Sequence, residues 1–301
     1  MPFLNQYKAP RALPVSNYHS DTPLQEYDLN FCYPIPRQLQ SSGVKLVPLI
    51  PSLHGERLFE LFKPSPDSFK WLPYGPFATV DELLTLFETK VRLDPGTLLF
   101  TVYDLSLRFD RDPEEEEEED FEQEGGRGMR LERIAGIVGV LKGVPANRSI
   151  EIGHLHIAPR FQRTHVLTHS IALLMHWLLD PPTPSSTCLG LRRVQWFANQ
   201  LNLPSIRAAE RLGFRIESSG LWWERVISAA ADDKPGIDLP DFLNHDRQDK
   251  DTTTTRKKVE EARGKGRHSV VLSVDWETWN DSVRDRVKLL VERAVTPRQF
   301  Q

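Results

Sequence analysis

The stretch Ile150-Glu151-Ile152-Gly153-His154-Leu155-His156-Ile157-Ala158-Pro159-Arg160-Phe161-Gln162-Arg163-Thr164-His165-Val166-Leu167-Thr168 concentrates the chemistry of this chain. An apolar strand-like run enters a short basic loop, and the loop enters a helical pattern. The first amides of a helix have no intrahelical acceptor and the helix dipole is positive there, so such a junction binds anions. Arg160 and Arg163 add charge, and Thr164 and Thr168 add hydroxyl donors. A phosphate or pyrophosphate suits this chemistry. An ordinary strand-to-helix turn with solvated arginines would look the same. Glu151 brings a carboxylate into the strand, where it could be half of a strand-edge ion pair. His154 and His156 fall on one strand face, because side chains alternate with period two. No third ligand accompanies them, so we read both as core or pocket-wall residues and expect no metal.

The elements that must hold these groups follow from periodicity and punctuation. Ser149 to Ile157 reads as a strand. Thr164 to Leu179 reads as a helix, apolar at Leu167, Ile171, Leu174, Met175 and Leu178 and stopped by Pro181-Pro182-Thr183-Pro184. Upstream, Lys45 to Ile50 is a short strand and Ser52 to Phe62 a helix. Thr79-Val80-Asp81-Glu82 is a capping box opening a second helix to about Val91, with Glu82 reaching back to the Thr79 amide. Thr97 to Leu105 and Ile134 to Val144 are partner strands. Downstream, Arg193 to Ala198 is a strand and Pro204 to Leu212 a helix closed by Gly213. Arg215 to Ser228 reads as strand, turn, strand. Ser269 to Trp276 is a last strand, and Asn280 caps a final helix. Hairpins mixed with crossovers predict an α/β (α+β) fold: a mixed central sheet of about seven or eight strands flanked by helices.

Composition bounds the rest. The hydrophobic fraction of 39% supports a sizeable core. No apolar run approaches the ~18–20 residues of a membrane span, and the N-terminus shows no basic flank before an apolar stretch. Two cysteines make neither a disulfide framework nor a zinc site, which suits a reduced compartment, cytoplasmic or else nuclear. Asp110 to Glu124 carries a local charge of −10, which leaves the remainder of the chain at +6. Such a run repels itself and stays solvated. We therefore expect an extended arm over 1–43 and one domain over 44–301. An acidic insertion at 110–130 and a polar low-complexity insertion at 231–268 would interrupt that domain, both disordered. The basic clusters Arg256-Lys257-Lys258 and Arg263 to Arg267 lack interleaved aromatics, so no nucleic-acid partner is expected.

Three segments resemble the GNAT N-acetyltransferases, in particular the ribosomal-protein alanine acetyltransferases (RimJ/RimL-like). They are Trp71-Leu72-Pro73-Tyr74-Gly75-Pro76-Phe77; Glu151-Ile152-Gly153-His154 leading into Gln162-Arg163-Thr164; and Asn199 to Ser205 followed by Ala208-Ala209-Glu210-Arg211-Leu212-Gly213-Phe214. The resemblance spans about Lys45–Ile227 plus Ser269–Trp279. It departs from the family where the coenzyme loop usually carries glycines: His165 and Leu167 stand there, in a Gln-Arg-Thr-x-x-x-Thr variant.

The resemblance implies an acetyl-CoA-dependent N-acetyltransferase acting on a primary amine, a protein N-terminus or a small molecule, by direct attack. The chain would be a monomer or homodimer with no membrane association. A catalytically weak acyl-CoA-binding regulatory module is the other reading. The coenzyme would lie in a splay between Ser149–Ile157 and Arg193–Ala198, against Leu155, His156 and Ile157. Its pyrophosphate would sit on Gln162, Arg163, Thr164, His165, Val166, Leu167 and Thr168, and its pantetheine arm on Asn199 and Asn202. Asn202 could equally be a helix N-cap. Ser205 would serve the thiolate, or merely the helix start. Glu151 and Glu224 are both candidates for the base. Trp71, Tyr74, Phe77, Trp222 and Trp223 would wall the acceptor groove. Strand alternation would let only one of Trp222 and Trp223 face it.

Overall fold

Two strands with no polar face, Leu98–Asp104 and the first half of Ile134–Val144, are buried on both sides and must lie at the centre of a covered sheet. The computed structural model describes residues 18–108, 133–227, 234–238, 264–293, 295 and 298–299. The strands are β1 (Leu39–Gln40), β2 (Val44–Pro48), β3 (Leu98–Asp104), β4 (Leu107–Arg108), β5 (Ile134–Val144), β6 (Ser149–Ile157), β7 (Arg193–Asn199), β8 (Arg215–Ile227), β9 (Lys265–Asp275) and β10 (Arg298–Gln299). Eight of them form one mixed sheet in the order β1-β2-β3-β5-β6-β7-β9-β8, and β4 pairs with β10. Only β6 and β7 run parallel within the large sheet, because a helical crossover joins them.

Helix α1 (Pro51–Phe62) and helix α2 (Val80–Leu86, continuing as a π-helical turn over Phe87–Arg92) cover one face. Helices α3 (His165–Leu179), α4 (Leu203–Arg211) and α5 cover the other. Helix α5 runs through Trp276–Thr278, a π turn over Trp279–Val283, and Arg284–Val291. Phe100 meets Trp177 of α3 at 5.5 Å between ring centroids, while Tyr103 meets His54 of α1 at 6.2 Å. Three residues apart on one strand, these rings point to opposite faces.

The eight-stranded mixed sheet with flanking helices agrees with the expected fold. Several local readings need correction. Glu82 accepts from the Ala78 amide at 2.7 Å rather than from Thr79, although Thr79 caps the Glu82 amide as expected. Helix α5 is capped by Asp275, which accepts from the Thr278 amide at 2.7 Å, and Asn280 lies inside it. Residues 215–227 form one continuous strand; its three register shifts against β9 absorb the turn the polar residues suggested. The strand expected from Ser269, β9, begins at Lys265 and ends at Asp275. The expected polar insertion therefore loses both flanks. Residues 234–238 dock, with Ile237 bridging Gly266, and 264–268 are strand or its approach. The acidic insertion and 239–263 lie outside the described residues. Of the arm, 18–43 are described, and Phe31, Tyr33 and Ile35 pack on the core.

Candidate active site

Strands β6 and β7 are in register only from Ser149/Arg193 to Ile152/Trp196. Past that rung they part. The cause is a bulge in β6: the pairing with β5 jumps from Gly139↔Gly153 to Ile137↔His156, so Val138 opposes both His154 and Leu155. His154 takes the left-handed backbone, with φ of 52°. The Tyr74 hydroxyl, 3.1 Å from His154 Nδ1, holds the bulged ring. Burial, and then the charge of Arg225, push His154 down to about 4, so the ring is neutral at pH 7. His156 Nε2 lies 2.8 Å from the Ser68 hydroxyl, and its ring stacks on Phe62 at 3.6 Å. Its side chain thus belongs to the core, and only its backbone is left for a ligand. Among the described residues no group of His, Cys, Asp and Glu could hold a metal.

The two glutamates come into one charged cluster with opposite tuning. Glu151 is 7% exposed and lies on the second-last rung before the strands part. Lys142 Nζ stands 2.8 Å from its Oε2, close enough to pair but off hydrogen-bond geometry. Burial pushes the Glu151 carboxyl above its usual range, Lys142 offsets part of that, and the charge of Glu224 adds to it. Glu224 accepts from Arg267 Nη1 at 2.7 Å and from the Ser269 hydroxyl at 2.8 Å. Burial alone would raise it, but Ser269, Arg267, Arg225 and Lys142 outweigh burial and hold it below the usual range. A carboxyl biased toward protonation suits proton transfer, whereas one locked in an ion pair suits architecture.

At the basic loop, Arg163 adopts φ of 60°, the left-handed region that a glycine would take without strain. Thr164 caps α3: its Oγ1 accepts from the Val166 amide at 3.2 Å and donates to the Phe161 carbonyl at 2.6 Å. Its hydroxyl is therefore spent on the helix, leaving the Thr164, His165 and Leu167 amides as the orphan donors of this terminus. Gln162 turns back to donate to the Ile157 carbonyl at 2.9 Å, so both residues are committed to the loop itself. The His165 side chain points inward, 3.1 Å from the Gly43 carbonyl and 3.3 Å from Asp104. Thr168 accepts from Arg211 of α4 at 3.1 Å.

Beyond β7, Asn202 is the N-cap of α4, accepting from the Ser205 amide at 3.2 Å. Trp196 Nε1 donates to Ser205 Oγ at 3.0 Å, and among the described residues nothing takes the serine's proton. Asn199 does not offer its amide to a ligand: it donates to the Pro235 carbonyl and accepts from the Leu201 amide. The segment carrying Pro235 continues to Lys234, 8% exposed, whose ammonium donates to the Phe69 and Tyr74 carbonyls at 3.0 and 3.3 Å. Tyr74 and Phe77 stack at 6.1 Å beside His154, and Trp71 lies under the Lys70 ammonium. Trp222 and Trp223 do not point to opposite faces. Trp223 has φ of 53°, which breaks the alternation, and both rings approach His268, at 4.4 and 5.8 Å.

Lys142, Lys234, Arg225, Arg267 and Ser269 were not visible as site residues in the sequence. Arg267 belonged to a stretch that read as a basic cluster, and only the register of β8 on β9 brings it to Glu224. Lys142 follows Leu141, the rung partner of Glu151, so a β5–β6 hairpin register would have been the signal.

Residues 46–215 match the sequence profile described as the acetyltransferase (GNAT) domain. No curated protein matches the sequence. Among solved structures, a GCN5-related N-acetyltransferase from Brucella melitensis is 22% identical with a TM-score of 0.60, covering 92% of this chain and 96% of that one. A GNAT-family chain from Chromobacterium violaceum is also 22% identical, with a TM-score of 0.57, covering 90% and 100%. Mycobacterium smegmatis RimJ, solved in complex with CoA-disulfide, is 14% identical with a TM-score of 0.50, covering 84% and 92%. At these identities the likeness is one of fold. Among the described residues no helix is long and apolar enough to cross a membrane.

Proposed function

We propose the reaction of this chain from its family: it belongs to the GNAT acetyltransferases, and we read it as an acetyl-CoA-dependent N-acetyltransferase of the RimJ/RimL-like branch that acts on a primary amine. The observation that carries the reading is Glu151, a buried carboxylate with a raised pKa beside the rung at which β6 and β7 part. The chain's own groups fit an acyl-CoA: parted strand backbone for an extended amide arm, orphan amides at the α3 terminus and Arg163 for phosphate, and a serine with its proton to give.

Acetyl-CoA supplies an activated thioester carbonyl. An ammonium cannot attack it, and a peptide α-amine titrates near ~8, a lysine near ~10.4. Glu151 takes the amine's proton, directly or through water, and its raised pKa makes it the stronger base of the two glutamates. Trp196 fixes the Ser205 oxygen, so the hydroxyl can donate a hydrogen bond to the sulfur as the C–S bond breaks and the C–N bond stands. The proton lost by the amine balances the one the thiolate gains. His154, neutral and held by Tyr74, keeps the bulge that parts the strands. Thiol release from acetyl-CoA with a panel of amines tests the reading. Amine-dependent release supports it, and tight coenzyme binding without release on any amine favours the regulatory-module reading.

A further inference from the structure

Among the described residues, Lys142, Arg225 and Arg267 meet Glu151 and Glu224 at the open end of the splay. Lys142 is matched to Glu151 and Arg267 to Glu224, at 2.8 and 2.7 Å. Arg225 stands apart. It is half-buried on β8, opposite Arg267 in register, and among the described residues its guanidinium takes part in no hydrogen bond or ion pair. It follows Glu224 on β8 and faces Arg267, which holds Glu224, so it belongs to the same cluster, and its charge is felt at His154 and Glu151. Burial and the like charge of Arg267 outweigh the charges of Glu224 and Glu151 and hold it below its usual range, so the two carboxylates, each paired with another cation, do not fully offset its desolvation.

We propose that Arg225 receives a carboxylate of the acceptor, and that the acceptors of this protein are amines carrying a carboxylate close to the reacting nitrogen. This rests on the amine-acetylating reading above. A guanidinium presents a planar fork of donors that matches a carboxylate in two bonds. Among the described residues of the cluster, three cations face two carboxylates, which disfavours acceptors with a second positive charge and draws in anionic ones. The carboxylate has two sources of the same chemistry: the α-carboxylate of a free amino acid, or an acidic side chain beside a peptide N-terminus.

Two acceptor pairs separate these sources: alanine against alaninamide, and the peptide amide Ala-Asp-Ala-Ala against Ala-Asn-Ala-Ala. The wild type should prefer the carboxylate member of at least one pair by about 10- to 100-fold in kcat/KM, mainly through KM, the value of a charge-assisted pair. Arg225→Gln should bring that ratio toward one, and Arg225→Lys, which keeps charge and loses the fork, should fall between. Preference in the first pair alone identifies free amino acids, and in the second alone peptides. Binding of the N-acetylated products to the protein with CoA, followed by calorimetry, gives a readout that needs no turnover. Equal use of acid and amide by the wild type, or equal loss on both in Arg225→Gln, overturns the assignment and leaves amine acetylation standing. An Arg225→Gln defect confined to acetyl-CoA affinity also overturns it, since Arg225 would then serve the coenzyme. Carboxylate-dependent, Arg225-dependent product binding without turnover supports the assignment and overturns the reaction. Neither turnover nor such binding overturns both.

Discussion

Replacing Glu151 with glutamine keeps the shape of the side chain and removes both the proton acceptor and a buried charge. Two effects should separate. At pH 7 an α-amine with pKa near ~8 is only about one-tenth neutral, and a lysine amine far less, so the base must supply at least that factor. General base catalysis contributes ~10²–10⁴-fold, and Glu151→Gln should lose kcat within that range. Between pH 7 and the amine's own pKa the variant should recover about tenfold per pH unit, as the acceptor deprotonates without help. Stability should move the other way. Glu151 is an acid whose folded pKa is raised, chiefly by burial, so the folded protein binds its proton more tightly than the unfolded chain. Its ionised form therefore opposes folding at neutral pH, a cost that disappears as pH falls through the folded pKa. Lys142, more than half exposed, can turn to water once its partner is neutral. Glu151→Gln should thus keep or raise Tm at pH 7–8 while acetyl-CoA affinity is unchanged. Steady-state kinetics from pH 6 to 9, thermal melts and calorimetry read the three quantities. A loss of only a few-fold at neutral pH, or a loss that does not recover with pH, refutes the assignment of Glu151 as base.

Glu224→Gln should show the opposite pattern. Its folded pKa is lowered, so its stabilisation is present above the unfolded pKa and lost as pH falls through the folded one; at pH 7 the variant should cost about 1–2 kcal/mol after solvent screening, the difference from wild type closing in acid, as urea melts at both pH values would show. Ser205→Ala leaves the donor of Trp196, itself 2% exposed, without its acceptor, and should cost about 1–3 kcal/mol in urea unfolding together with a kcat loss at unchanged acetyl-CoA affinity. Arg163→Glu should weaken acetyl-CoA binding strongly, whereas Arg163→Gly, which relieves a left-handed residue, should weaken it less and raise stability by about 1 kcal/mol; calorimetric affinities unchanged in both would remove Arg163 from the phosphate site.

The local layout of the chain was legible in its own pattern of residues. Apolar alternation and turn residues marked Ser149–Ile157 and Ile134–Val144 to the residue, and the helical pattern from Thr164 to Leu179 marked α3 to within one residue, because these features depend on neighbours along the chain. Asn202 was readable as a cap for the same reason. What the local signal could not carry was pairing. The polar residues within Arg215–Ile227 looked like a turn, yet register shifts against β9 keep the strand whole, since ladder bonds to a neighbouring strand outweigh the local turn preference. Residues 234–238 looked like solvated low-complexity chain, but a buried lysine finds two carbonyls from a segment about 160 residues earlier. The bulge at His154 and the left-handed Trp223 both broke the period-two rule that sequence reasoning must assume. Most of all, the opposite tuning of Glu151 and Glu224 could not be read from the sequence. Whether burial or hydrogen bonding dominates a carboxyl's pKa depends on groups brought by other strands, Lys142 from β5 and Arg267 with Ser269 from β9, and only strand register decides which groups those are.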